Sequence, residues 1–243
     1  MVELLHARLP QADLKLRLTM VLLEVRHRPL LFAQLHRITN DQRHELTLLA
    51  DFCLEEPRFT KQLLPELQVP GARTRLLSSR LLGPADGWGN LTFAEFIQAE
   101  GHFADYQRQP EQERHLNLFV ATLYRPAGGK SKTDKREAYV PADVAGRAEL
   151  VARLPLATRL AVHLWYASCR SAYVRKYTGT IFMAPKDGDG TRRPDPREVW
   201  REILAERAGS PVHYDEYGSQ AMPNIFFDLD LRIRRRAEQT PQN

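Results

Sequence analysis

Thr92-Phe93-Ala94-Glu95 constrains this chain more than any other four residues in it. A threonine whose hydroxyl can accept from the amide three residues on, and a glutamate that can reach back to the threonine amide, satisfy two of the donors that every helix leaves exposed at its start. The pattern predicts a helix from Phe93, with Phe93, Phe96, Ile97 and Phe103 on one apolar stripe. Pro110 breaks it. Glu111 and Glu113 then open a second helix, where the dipole favours acidic side chains, and Leu116, Phe119, Val120 and Leu123 follow at helical intervals. The period continues in a short helix from Ala142 to Leu154 and a longer one from Leu156 to Tyr177, with Leu160, Leu164, Ala167 and Ser171 on one face. Asp195-Pro196-Arg197-Glu198 caps a further helix bearing Val199, Trp200, Ile203 and Leu204, and Gly209 stands where a left-handed terminator belongs.

These signals predict an all-α protein, an irregular multi-helix bundle of about eight helices. In the first part of the chain, leucine and methionine richness favours a helix over 14–25. Residues 29–52 read as two packed helices separated by a break and cap at Thr39, Asn40 and Asp41. The leucine-rich run FTKQLLPEL follows Pro57, and residues 69–90, rich in Pro, Gly and Asn, read as connection. The last segment, MPNIFFDLDLRIRRRAEQ, is ambiguous: Phe227, Leu229, Leu231 and Ile233 alternate like a strand, but the reading favours a helix. Two low-complexity loops, 125–137 and 184–196, are the natural linkers. They suggest an amino-terminal helical region over 1–85, a central bundle over 86–183 and a carboxyl-terminal helical segment over 195–243.

Composition excludes little. With 243 residues, 43% apolar and 27% charged, the chain can bury a full core and is neither a disulfide miniprotein nor disordered. Cys53 and Cys169 are far apart and each lies in an apolar run, so both read as buried free thiols of a reducing compartment. The amino terminus interleaves charges with leucines, unlike a secretory signal, and no run of eighteen residues is free of charge. A cytoplasmic protein without membrane contact is expected. The first 124 residues carry 14 basic and 15 acidic side chains and the remainder 21 and 15, which places the whole basic excess, net +5, in the second half.

No linear motif assigns a catalytic, metal or cofactor site. Gly129-Lys130-Ser131 resembles the end of a phosphate-binding loop, but Tyr124 occupies the required earlier glycine position and a helix precedes the loop. Asp187, Asp189 and Glu198 imitate a calcium loop, yet Arg192 sits where glycine should turn the chain and Arg193 adds a second positive charge. The eight histidines form no zinc spacing, and His102, His115 and His163 read as interfacial or surface residues. A non-enzymatic protein without cofactors is expected, although a triad or carboxylate pair can be assembled in space without a linear trace. Arg232, Arg234, Arg235 and Arg236 could contact nucleic acid, as could Arg170, Arg175 and Lys176 interleaved with Tyr173 and Tyr177; cations at a helix carboxyl terminus also simply complement the dipole.

Three segments in order, LTFAEFIQAEGHFADY at 91–106, LNLFVATLYRP at 116–126 and RAELVARLPLATRLAVHLWYASC at 147–169, resemble proteins encoded in the tail-assembly modules of phages and prophages. WREILAERAG followed by MPNIFFDLDL is similar to the carboxyl-terminal pattern of tail assembly chaperones. The likeness spans about residues 90–235, and this chain departs from it in a longer basic loop at 125–140 and a poorly acidic link at 211–220. What the resemblance implies is a protein that holds an aggregation-prone tail component, such as the tape measure protein, or contributes to the tail itself. Such a client would lay an amphipathic helix into an apolar groove. Phe93, Phe96, Phe103, Leu123, Tyr124, Trp165 and Tyr166 are the candidate groove residues, each of a type equally at home in the core. The alternative is a basic helical nucleic-acid-binding module.

Overall fold

The structure, a computed structural model, describes residues 39, 41–42, 58–70, 80–129, 131–182 and 195–239. The proposed helix at 14–25, Cys53 and the calcium-like loop at 187–194 lie outside them. Thr39 and Gln42 cap one another reciprocally, Gln42 N donating to Thr39 Oγ1 at 3.2 Å and Thr39 N to Gln42 Oε1 at 3.0 Å, so the break expected there is a helix start.

From Phe93 onward the described residues form seven α-helices. The first, α1 (Phe93–Arg108), begins with the predicted box: Glu95 N donates to Thr92 Oγ1 at 3.3 Å and Thr92 N to Glu95 Oε2 at 3.0 Å. Next come α2 (Glu113–Leu123), α3 (Val144–Val151) and α4 (Leu156–Lys176). Then α5 (Pro196–Ala208) is capped by Asp195, which accepts from Arg197 N at 2.8 Å, and ended by Gly209 at φ 64°. The short α6 (Tyr214–Gly218) leads to α7 (Met222–Gln239), so the ambiguous last segment is helical. Helix α1 packs on α2 and α5, and α2 packs also on α3 and α4.

A small antiparallel sheet was not expected. Strands β1 (Glu66–Gln68), β2 (Arg80–Leu82) and β3 (Arg125–Pro126) lie in that order, with Leu67 opposite Leu81 and Leu82 opposite Arg125. Elements of two or three residues are too short to display an alternating pattern. They redraw the expected boundaries. Because β1 and β2 pair onto β3, and Trp165 and Tyr124 donate to the carbonyls of Thr60 and Leu64, residues 58–70 and 80–85 belong with the central bundle rather than apart from it. The carboxyl-terminal segment joins the same core: Phe93 N donates to the Gln220 carbonyl, Met222 N to that of Leu91, and Phe226 is fully buried against Phe96 and Trp200.

Candidate functional site

The seven residues expected to line a groove are instead the interior. None is more than 5% exposed, and Phe93, Leu123, Tyr124 and Tyr166 are at 0%. Phe96 contacts Trp88, Trp200 and Phe226, while Phe103 packs with Phe119, His163 and Tyr166. The correction has a simple cause: seven helices around one core need large side chains to fill the space between them, and these are the large apolar residues at helical spacing. The polar tips of three are also engaged, Tyr124 on Leu64 O at 2.6 Å, Trp165 on Thr60 O at 3.2 Å and Tyr166 on Glu100 Oε1 at 3.1 Å.

The arginine tail lies on α7 and is largely paired. Arg232 meets Asp228 and Arg234 meets Asp230, each at 3.0 Å and one turn away, and Arg236 reaches Glu206 of α5 at 3.6 Å. Cys169 is buried, as expected, with Sγ 3.8 Å from the Thr60 carbonyl, and burial pushes its thiol up to about 12. It is no nucleophile at neutral pH. Of the two readings of His163, the interfacial one holds: it is buried between helices in the aromatic core, stacked on Phe103 at 4.7 Å and edge-on to Phe119.

A surface cleft of about 420 Å³ opens between α2 and α3. Leu118 of α2, Ala145 and Ala148 of α3 and Ala152 at the end of α3 supply its apolar lining, Arg114 and Asn117 of α2 line it from one side and Glu149 of α3 from the other. The alanines recur at the three- and four-residue spacings that put side chains on one helix face, and their small size lets another backbone approach. Sequence reasoning sought aromatic residues and passed over this alanine face.

Beneath the neighbouring loop lies a polar centre. The stretch 125–137, read as a flexible linker, is a hairpin in which Gly128 and Gly129 both donate to the Lys135 carbonyl and Glu137 N donates to that of Pro126. Gly129 is needed there, because a Cβ would stand 2.2 Å from the Arg136 carbonyl oxygen. What pins the hairpin is buried charge. Glu95 Oε1 sits 3.0 Å from Arg125 Nη2 and 3.1 Å from Arg136 Nη1. Asp134 Oδ2 joins the same two guanidiniums at 3.3 and 2.8 Å. Arg136 also donates to the carbonyls of Leu123 at 3.0 Å and Asn90 at 2.8 Å. Arg147 of α3 enters the same interior and donates from Nε to Ala121 O at 3.1 Å. Burial is the largest influence on Arg125 and Arg147 and holds both below the ordinary arginine range. The sequence marked Glu95 only as a cap; no spacing links it to arginines thirty and forty-one residues later.

Two further polar joints hold helices together. Glu100, buried in α1, accepts from Arg170 Nε at 3.0 and 3.1 Å and from Tyr166, yet burial raises its carboxyl above the usual range. On the α1–α2–α5 seam, Arg197 Nη2 lies 2.6 Å from Asp105 Oδ2 and 3.1 Å from His102 Nδ1, with His115 Nδ1 4.0 Å from the same carboxylate. Burial, reinforced by the Arg197 charge, lowers His102 to about 4. Among the described residues no group of histidine, cysteine and carboxylate side chains could hold a metal ion, and no helix is long and apolar enough to cross a membrane. Comparison with family models, curated proteins and solved structures finds no match.

Proposed function

We propose that the protein is a phage-type tail assembly or chaperone protein of the host cytoplasm, which holds an amphipathic helix of a tail component, such as the tape measure protein, in the cleft between α2 and α3. The observation that carries this reading is the cleft itself: an alanine-lined trough of about 420 Å³ with Leu118 in it. Its flanks bear opposite charges, Arg114 on α2 and Glu149 on α3. A client helix with an apolar stripe, acidic residues along one flank and basic residues along the other complements all three features. The cleft also falls between the second and third segments that carry the tail-module resemblance, since Leu118, Ala148, Glu149 and Ala152 belong to them. Recognition here is by shape and flank charge, with no chemistry performed. The nucleic-acid alternative has less to support it, because three of its four arginines are already held by carboxylates.

The reading is tested by filling the trough. Ala145 and Ala152 are exposed, so Ala145→Trp and Ala152→Trp leave the core untouched. Co-purification with a tail client encoded in the same module is expected to be lost in both, with circular dichroism and melting temperature unchanged. Undiminished capture by the folded variants sinks the cleft as the docking site. Phe96→Asp, in contrast, is expected to unfold the protein, because it places a carboxylate in the aromatic centre.

A further inference from the structure

The buried charge under the hairpin does not balance. Arg125 and Arg136 share two carboxylates, Glu95 and Asp134, and the four groups cancel. Arg147 brings a third guanidinium, 7% exposed, into the same interior; the carboxylate paired with it is that of Asp143, 3.9 Å away and 61% exposed, and the exposed Glu137 acts on it more weakly. An ion pair of that length, turned to solvent on one side, compensates little of what burying an arginine costs.

The hydrogen bonds are short by the same measure. Arg125 Nη1 donates to the Glu137 carbonyl and Nη2 to Asp134, while Nε has no partner among the described residues. Arg147 Nε is taken by Ala121 O, and Nη2 has none. Tyr139 Oη is buried without a partner as well, and the Arg125 guanidinium stands over the Tyr139 ring, 5.9 Å from its centroid. Arg147 lies near enough to Tyr139 and to Arg125 to act on the titration of each. Three buried donors from neighbouring side chains, two of them cationic, are thus left over where the third guanidinium has only solvent-facing carboxylates of its own. Folded proteins leave few buried polar atoms without a partner; these three differ from others in this structure, such as Trp88 Nε1 and Arg159 Nε, in lying beside one another around two guanidiniums.

We propose that Arg125, Arg147 and Tyr139 form a binding site for a small oxyanion of the size of inorganic phosphate. A water molecule supplies two acceptor lone pairs and no charge, whereas an oxyanion accepts from all three donors and cancels the third guanidinium. Arginine is also the side chain best matched to planar and tetrahedral oxyanions. The site lies beneath a thin cover: Ala138 and Val140, on either side of Tyr139, are exposed, as is Asp143. Its occupation ties the hairpin to α3, because Arg125 belongs to β3 at the hairpin base and Arg147 to α3. The proposal is independent of the tail-assembly reading and survives its failure.

The experiment is thermal unfolding and titration calorimetry of the full chain with inorganic phosphate, sulfate and acetate, each at constant ionic strength set with chloride. A saturable rise in melting temperature with phosphate or sulfate is expected; a rise with acetate alone assigns the site to carboxylates, within the same oxyanion chemistry. Tyr139→Phe, which removes one oxygen, should raise the half-saturating concentration by about tenfold, the effect of one charge-assisted hydrogen bond. Arg147→Met should abolish the response, and without oxyanion it should melt no lower than the parent, because it removes the uncompensated charge. If Arg147→Met does not fold, Tyr139→Phe decides alone. No response beyond that to chloride, or an unchanged half-saturating concentration in Tyr139→Phe, overturns the proposal.

Discussion

Glu95 closes the capping box with Oε2 and faces two guanidiniums with Oε1, so a single side chain sets both where α1 begins and where the 125–137 hairpin is anchored. The two roles separate by substitution. Glu95→Gln keeps an oxygen for the Thr92 amide but removes the charge, leaving Arg125 and Arg136 to share Asp134 alone. Breaking a buried pair in this way costs roughly 3–5 kcal/mol. Urea denaturation should show a loss of that size, whereas Arg232→Ala, which opens an exposed one-turn pair, should change stability by less than about 0.5 kcal/mol. Equal effects would mean that the network under the hairpin contributes no more than a surface pair. Glu95 also shows what was legible at this scale. Its spacing from Thr92 announced the cap, because capping is local. Its arginine partners came from a loop whose lysines and glycines read as solvated linker, and nothing in a linear pattern distinguishes an arginine that turns inward.

At the scale of elements, legibility followed local chemistry. Helices α1 and α5 began where threonine and aspartate caps placed them, and α5 ended at its glycine. The last segment proved helical although its apolar residues alternate, because Ile225, Phe226 and Leu229 share a helix face that packs on the core. Strands β1 to β3 were invisible, since their pairing depends on chain brought together by the helices. If capping really sets the start of α1, Thr92→Ala should cost about 1 kcal/mol, clearly less than Glu95→Gln although both alter the same box. Hydrogen exchange at Glu95 N, which donates to the threonine hydroxyl, should quicken more than exchange at amides in the middle of the helix. Uniform acceleration throughout α1 would contradict a local role. The candidate groove failed for a related reason: periodicity identifies a buried face but not what buries it, and here α4, α5 and α7 cover the aromatic stripe that a client was expected to cover.

For the whole molecule, acid is expected to act on the seam that joins the carboxyl-terminal helices to the rest. Arg197 of α5 lies across α1 so closely that a Cβ on Gly101 would stand 1.9 Å from its Nε, and it holds Asp105 and His102 together. His102 is neutral there, lowered to about 4 by burial first and by Arg197 second; Asp105 and Asp195 pull it up, and His115 adds to the lowering. In the unfolded chain it titrates near 6.5. Between those values the unfolded state binds more protons, so stability rises with pH across the window and is lost as pH falls through it, by up to roughly 3 kcal/mol. Glu100 has the opposite sign: its raised carboxyl contributes stability below about 4.5 that is lost as pH rises through its folded value, partly masking the histidine. Asp105 is also desolvated, but Arg197 outweighs burial and holds it below the usual carboxylate range, so its contribution is lost only at lower pH. His102→Gln, whose amide oxygen can still accept from Arg197, should therefore flatten the decline between pH 6.5 and 4 in denaturation curves while leaving stability at pH 7.5 nearly unchanged. A parental slope in the variant would show that another group, not this seam, makes the fold sensitive to acid.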